Sequence, residues 1–230
     1  MVIGWDNIIC IKGKAVWSYL VMFLTNWNAL RHEDFDYSVF KNEDVVDDTL
    51  FDGYIAPYAE TPLDEELTGQ SVYEDLLNSA NKYVYIMTPY LIIDSEMINT
   101  LIHTAKKGVD VRIIMPGIAD KKIVHDIGTT YYKQLIQGGV KIYEYEPGFV
   151  HSKVFICDDT YATVGTINLD YRSLYLHFEN GTLLYKSKKI MDVKQNFIDT
   201  LSKCKKIQVE DTHVNIIKGL FLSIIRIFRH

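Results

Sequence analysis

Between residues 71 and 201 the chain switches repeatedly between a two-residue and a roughly 3.6-residue hydrophobic period, with turn residues at each switch. Alternation of this kind leaves few folds open, because apolar strands separated by amphipathic helices pack best as a sheet covered on both faces. Residues 71–82 show helical spacing at Val72, Leu76, Leu77 and Ala80, and 83–87 reads as a strand stopped by Pro89. Residues 95–107 align Met97, Ile98, Leu101, Ile102 and Ala105 on one stripe, with Gly108 just beyond. Strands are predicted at 109–115, 140–145, 151–157, 161–165 and 178–185, and helices at 120–137 and 190–201. Asp158-Asp159-Thr160 reads as a hairpin turn. The expected class is α/β, with a mixed, largely parallel sheet and helices on both faces.

The flanks differ in character. Residues 15–24 form a ten-residue apolar run, too short to span a bilayer, and no small-residue cleavage site follows it. It reads as a buried amphipathic helix, preceded by a short strand at 8–11 and a turn at Lys12-Gly13-Lys14. Residues 31–66 show no sustained period, are crowded with acids and are punctuated by Gly53, Pro57 and Pro62, which predicts a solvated connector.

Charge is segregated along the chain. Residues 31–75 hold 14 Asp and Glu against Arg31 and Lys41, whereas 186–230 hold ten Lys and Arg against four acids. The overall charge of −6 gives no field that would attract nucleic acid. Residues 214–230 combine Lys218, Arg226 and Arg229 with a broad face of Ile, Leu and Phe. That pattern predicts an amphipathic helix lying on an anionic membrane surface, with docking on the domain core as the alternative. Three scattered cysteines, Cys10, Cys157 and Cys204, match neither a disulfide framework nor a zinc site, and no metal or cofactor is expected.

The chemistry concentrates in His151-Ser152-Lys153, with Asp158 downstream, and in Gly165-Thr166-Ile167-Asn168. In a strand His151 and Lys153 share one face, and the returning strand delivers Thr166 and Asn168 to the same end. An imidazole, an ammonium, a hydroxyl and an amide suit phosphoryl chemistry: a cation neutralises the anion, neutral donors orient it, and the imidazole attacks phosphorus. The second ring nitrogen then needs a carboxylate to fix the tautomer, and Glu179 is the candidate.

H-x-K-x4-D followed by G-T-x-N resembles the HKD motif of the phospholipase D superfamily. The flanks at 83–90, 107–113, 143–149 and 168–173 are similar to the C-terminal half of bacterial cardiolipin synthases, and Val16-Trp17 with Asn26-Trp27-Asn28 resembles the end of their first half. The resemblance implies a remnant of the first half at 1–30, an acidic connector at 31–66, a phospholipase D-like domain at 67–208 and the basic tail at 209–230. It implies His151, Lys153, Asp158 and Glu179 as catalytic residues, with a salt-bridge or turn-stabilising role at the hairpin as the alternative for Asp158, and Thr166 and Asn168 as phosphate-side ligands. The implied reaction converts two phosphatidylglycerols to cardiolipin and glycerol through a phosphohistidine, on the cytoplasmic face or periphery of a bacterial membrane. The family pattern has two such motifs and this sequence has one. A second motif from a homodimer or a full-length homologue would complete the site. The rival readings are a catalytically incomplete lipid-phosphate- or partner-binding domain and a dimeric single-motif nuclease.

Overall fold

The computed structural model describes residues 4–31, 36–41 and 52–212. The tail at 214–230, and with it the amphipathic-helix expectation, lies outside the described residues, as do 32–35 and 42–51 of the acidic segment.

Strand β3 (Tyr83–Met87) is buried along its whole length, and its two faces serve two cores. Val84 and Ile86 pack under helices α2 (Thr68–Ser79) and α3 (Ser95–Lys106), together with Leu77 and Leu101. Tyr83, Tyr85 and Met87 face helix α7 (Lys189–Leu201), where the Tyr85 and Phe197 rings stack with centroids 4.8 Å apart. A continuous apolar run is what a strand covered on both sides requires. Helix α3 starts where the Asp94 carboxylate accepts from the Met97 amide at 2.8 Å, and it gives way to Gly108 at φ +93°, a conformation that glycine adopts at little cost.

The main sheet also contains β2 (Tyr54–Glu60), β5 (Asp110–Pro116), β6 (Lys141–Tyr145), β8 (Val154–Cys157), β9 (Tyr161–Gly165), β11 (Glu179–Tyr185) and β12 (Cys204–Lys206). Its order is β12-β6-β5-β3-β8-β9-β11-β2. This is the expected mixed sheet with helices on both faces. The parallel pairings join β3, β5 and β6, and the other neighbours run antiparallel. Two parallel strand pairs sit beside it: β1 (Gly4–Trp5) with β7 (Phe149–Val150), and β4 (Leu91–Ile92) with β10 (Leu169–Asp170).

Several expectations need correction. Residues 54–60, read as solvated connector, form edge strand β2, registered from Tyr54 opposite Tyr185 to Glu60 opposite Glu179. Pro57 broke the pattern in sequence, but an edge strand tolerates a proline because one side of its backbone needs no partner. The strand expected at 8–11 is irregular, and pairing occurs instead at Gly4–Trp5. The expected apolar helix is present as α1 (Ala15–Arg31), yet only Leu24 is buried, while Phe23, Trp27 and Leu30 stay exposed. The helix expected at 120–137 is split into α4 (Lys122–Thr129) and α5 (Tyr132–Gln137).

The β8–β9 hairpin is as expected. Asp158 and Asp159 take φ +51° and +56°, which short polar side chains tolerate. The Asp158 carboxylate accepts from the backbone amides of Asn81, Lys82 and Tyr83 at 2.7, 3.0 and 2.8 Å. One side chain thus ties the hairpin to the start of β3. Loss of a charged acceptor from three amides costs about 2 kcal/mol. Asp158→Ala is therefore expected to lower the melting temperature by about 4–8 °C, read in a thermal melt; an unchanged midpoint would remove the tie.

Candidate active site

The N-terminal segment is stitched alongside the motif. Beyond the β1–β7 pair, the His151 amide donates to the Trp5 carbonyl at 2.7 Å, and the Ser152 hydroxyl donates to Asn7 Oδ1 at 2.7 Å. Asn7 Nδ2 in turn donates to Asn196 Oδ1 of α7 at 3.1 Å. These bonds carry Asp6 to the imidazole, where Asp6 Oδ2 lies 2.9 Å from His151 Nδ1. A carboxylate there holds the proton on Nδ1 and leaves the Nε2 lone pair free.

Lys153 is buried, and its ammonium donates to the His151 carbonyl. Burial pulls the Lys153 pKa down to about 8, against the opposing pull of the Asp6, Glu179 and Asp170 carboxylates. The ammonium is thus a poorly solvated cation, and among the described residues no carboxylate lies within ion-pair distance of it. Thr166 and Asn180 bind each other reciprocally: the Thr166 amide donates to the Asn180 carbonyl at 2.8 Å, and the Asn180 amide donates to Thr166 Oγ1 at 3.0 Å. Gly165 permits this approach, since a Cβ there would lie 2.3 Å from the Asn180 carbonyl oxygen. Asn168 Nδ2 donates to Ser173 Oγ at 2.7 Å, and Ser173 Oγ donates to Glu179 Oε1 at 3.0 Å.

His151, Lys153, Thr166, Asn168 and Glu179 thus line one cleft of about 690 Å³, together with Asp6. One expected contact changes. Asp6, rather than Glu179, meets the imidazole; Glu179 instead anchors the Ser173–Asn168 chain. Asp158 follows the far end of β8, five positions beyond Lys153 at about 3.3 Å each, and takes the turn-stabilising alternative, bonding at the hairpin outside the cleft lining. Sequence reasoning missed Asp6 because its partner stands 145 positions away and nothing near Asp6 marks it. Ser173 falls inside the 168–173 flank, where nothing in the sequence marks it as the link between Asn168 and Glu179. Cys157 is buried with its thiol pushed up to about 12 by desolvation, as suits a small core residue. His125 Nε2 lies 3.1 Å from the Pro116 carbonyl and 3.8 Å from Glu144, a packing role. Among the described residues no group of three His, Cys, Asp or Glu side chains is placed to hold a metal.

The chain is similar to known proteins in sequence and in fold. The family model described as "Cardiolipin synthase, PLD-like domain" matches residues 73–201. An uncharacterized protein of Streptococcus mutans is 47% identical over 88% of this chain and 43% of its own length. Cardiolipin synthase 2 of Bacillus anthracis is 35% identical over 90% of this chain and 40% of its own. The chain therefore spans about two fifths of the curated relatives it matches. Two solved structures share the fold. Nuc of Salmonella typhimurium, a phospholipase D family member, has a TM-score of 0.57 at 16% identity, covering 67% of this chain and 98% of Nuc. Phosphatidylserine synthase of Haemophilus influenzae has a TM-score of 0.59 at 19% identity, covering 76% of this chain and 46% of the synthase.

Lys153 gives the cleft a measurable pH signature. Its charge is present below pH 8 and is lost as pH rises through that value. Diethyl phosphate keeps its single charge throughout this range, so its affinity should fall above pH 8, approaching about tenfold per pH unit. Calorimetric titration between pH 7 and 10 reads this, and a flat profile would exclude Lys153 as the anion ligand. Folding responds with the opposite sign. Below pH 8 both folded and unfolded chains carry the charge, so its burial costs stability in full, and that cost fades as pH rises toward the ordinary lysine value. Lys153→Met should therefore stabilise the fold most at neutral pH.

Proposed function

The chain belongs to the PLD-like domain family of cardiolipin synthase, and from that membership we propose that it supplies one histidine half of a phosphatidyl-transfer site. The observation that carries this reading is the convergence of a carboxylate-backed imidazole, a buried ammonium and an amide chain in one cleft. Relatedness to cardiolipin synthases supports phosphatidyl-transfer chemistry, and the finer steps follow from the residues.

The phosphate of phosphatidylglycerol sits against Lys153, whose desolvated charge is worth more there than in water. His151 Nε2 attacks phosphorus while the bond to the glycerol headgroup breaks. The leaving glycerol oxygen takes a proton from an acid across the cleft, the histidine of a second motif on another chain. The imidazolium formed at His151 is stabilised by Asp6, which accepts its Nδ1 proton in a hydrogen bond. A hydroxyl of a second phosphatidylglycerol then gives its proton to that acid and attacks phosphorus. The P–N bond breaks, cardiolipin departs and His151 is restored. Charge and proton balance without a metal.

Work on such substrates takes place at a lipid surface. Among the described residues no helix is long and apolar enough to cross a membrane. The basic, apolar tail at 214–230 supplies surface attachment in this reading, with each cation near an anionic surface contributing about 1 kcal/mol.

Incubation with phosphatidylglycerol radiolabelled in the phosphatidyl group should leave an acid-labile, base-stable label on the protein. His151→Ala should abolish it, and Lys153→Ala should reduce it by at least about tenfold, the value of one hydrogen bond to a charged group. Label that survives His151→Ala would contradict the nucleophile assignment.

A further inference from the structure

A second cavity of about 240 Å³ adjoins the reaction cleft, and Asn168 and Glu179 line both. The two lie close: the Tyr90 ring in the second cavity sits 6.4 Å from Phe149, whose ring is 5.8 Å from His151. The lining of the second cavity is divided by chemistry. Lys121 and Arg172 are exposed, and among the described residues neither has a carboxylate within ion-pair distance. The Arg172 Nε–H is oriented by donating to His177 Nε2, which leaves its other donors available. Lys121 stands over the Tyr90 ring, its ammonium 5.7 Å from the centroid.

The inner lining offers acceptors. Asp170 is buried, with one oxygen engaged by the Ser173 amide at 2.9 Å. Glu179 accepts from Ser173. Asn168 Oδ1 is buried and, among the described residues, has no hydrogen-bond partner. Its orientation follows from the network: the Ser173 proton goes to Glu179, so Ser173 receives the amide N–H of Asn168 and the carbonyl side is left over. A buried acceptor without a donor is costly and is relieved by a ligand that brings an O–H.

Cations at the rim and unmet acceptors inside match an anion that carries hydroxyl groups. We propose that the cavity bounded by Tyr90, Lys121, Arg172 and Asn168 binds the hydroxylated phosphodiester headgroup of the acceptor substrate. Its phosphate lies against Arg172 and Lys121, and its glycerol hydroxyls reach inward to Asn168 and the two carboxylates. This rests on the phosphatidyl-transfer reading for the meaning of "acceptor" and adds which wall of the site selects it. Through the shared wall, one hydroxyl of the bound headgroup is presented toward the phosphorus held by His151 and Lys153.

The test uses the full chain and two soluble probes, the deacylated headgroup glycerophosphoglycerol and the hydroxyl-free diester diethyl phosphate. Calorimetric titration should give two equivalents of glycerophosphoglycerol per chain and one of diethyl phosphate. Arg172→Gln should weaken the second equivalent about tenfold and spare the first; Arg172→Lys should recover part of the loss, and Lys121→Gln should weaken the same equivalent. A thermal melt of each variant checks that it folds. One equivalent only, two equivalents indifferent to Arg172→Gln, or two equivalents of diethyl phosphate would each overturn the acceptor site. Failure of the phosphatidyl-transfer reading looks different: the first equivalent would then be indifferent to Lys153→Ala, whatever Arg172 does.

Discussion

A strand buried on both faces, as β3 and β8 are, leaves charged side chains only its ends. Every residue of β3 and of β8 is buried, and the side chains of each divide between the α2–α3 core and the α7 core. A polar group placed mid-strand forfeits its hydration unless it finds a partner, as Thr163 does with the Phe155 amide and Thr182 with the Tyr19 hydroxyl. The motif residues accordingly lie just before β8 begins, and Thr166 and Asn168 lie just after β9 ends. The same constraint explains the polarity of the β8–β9 hairpin. Its turn end is given to Asp158 and the backbone of residues 81–83, and its open end is left free for chemistry.

At that open end, stability and reactivity pull against each other. Lys153 is buried with its pKa lowered to about 8, an expense to folding that an anion in the cleft would relieve. Asn168 Oδ1 is a smaller expense of the same kind. Among the described residues Lys153 has no ion pair and Asn168 Oδ1 no donor, whereas Ser173, Glu179 and Asp6 beside them are engaged. The site is built by long-range stitching, because residues 4–7 contribute a strand pair, the Asn7 bonds and a carboxylate to a segment starting at 149.

Much of this was legible in the sequence, for definite reasons. Period changes located β3, α3, β5, β9 and α7 because strands and helices covered by a core must present apolar residues at fixed intervals. The motif spacing brought His151, Lys153, Thr166 and Asn168 to one cleft because a hairpin aligns its two open ends. Three things were hidden. Strand β2 was masked by Pro57, which is harmless only because the strand is an edge. The exposure of α1 was masked by its apolar composition, which measures hydrophobicity and says nothing of coverage. The imidazole partner was assigned to Glu179 because that residue sits on a neighbouring strand, whereas the bond goes to Asp6 through a pairing of two residues per strand, too short to leave a pattern.

The central claim is that Asp6 fixes His151 with its proton on Nδ1 and presents a bare Nε2 to the cleft. Long-range nitrogen–proton correlation NMR on uniformly ¹⁵N-labelled protein, at a pH where the imidazole is neutral, reads the tautomer of His151 directly. The account predicts the Nδ1–H form in the native chain and a mixture of tautomers in Asp6→Asn. A dominant Nε2–H form in the native chain, or a tautomer that ignores Asp6→Asn, would contradict it.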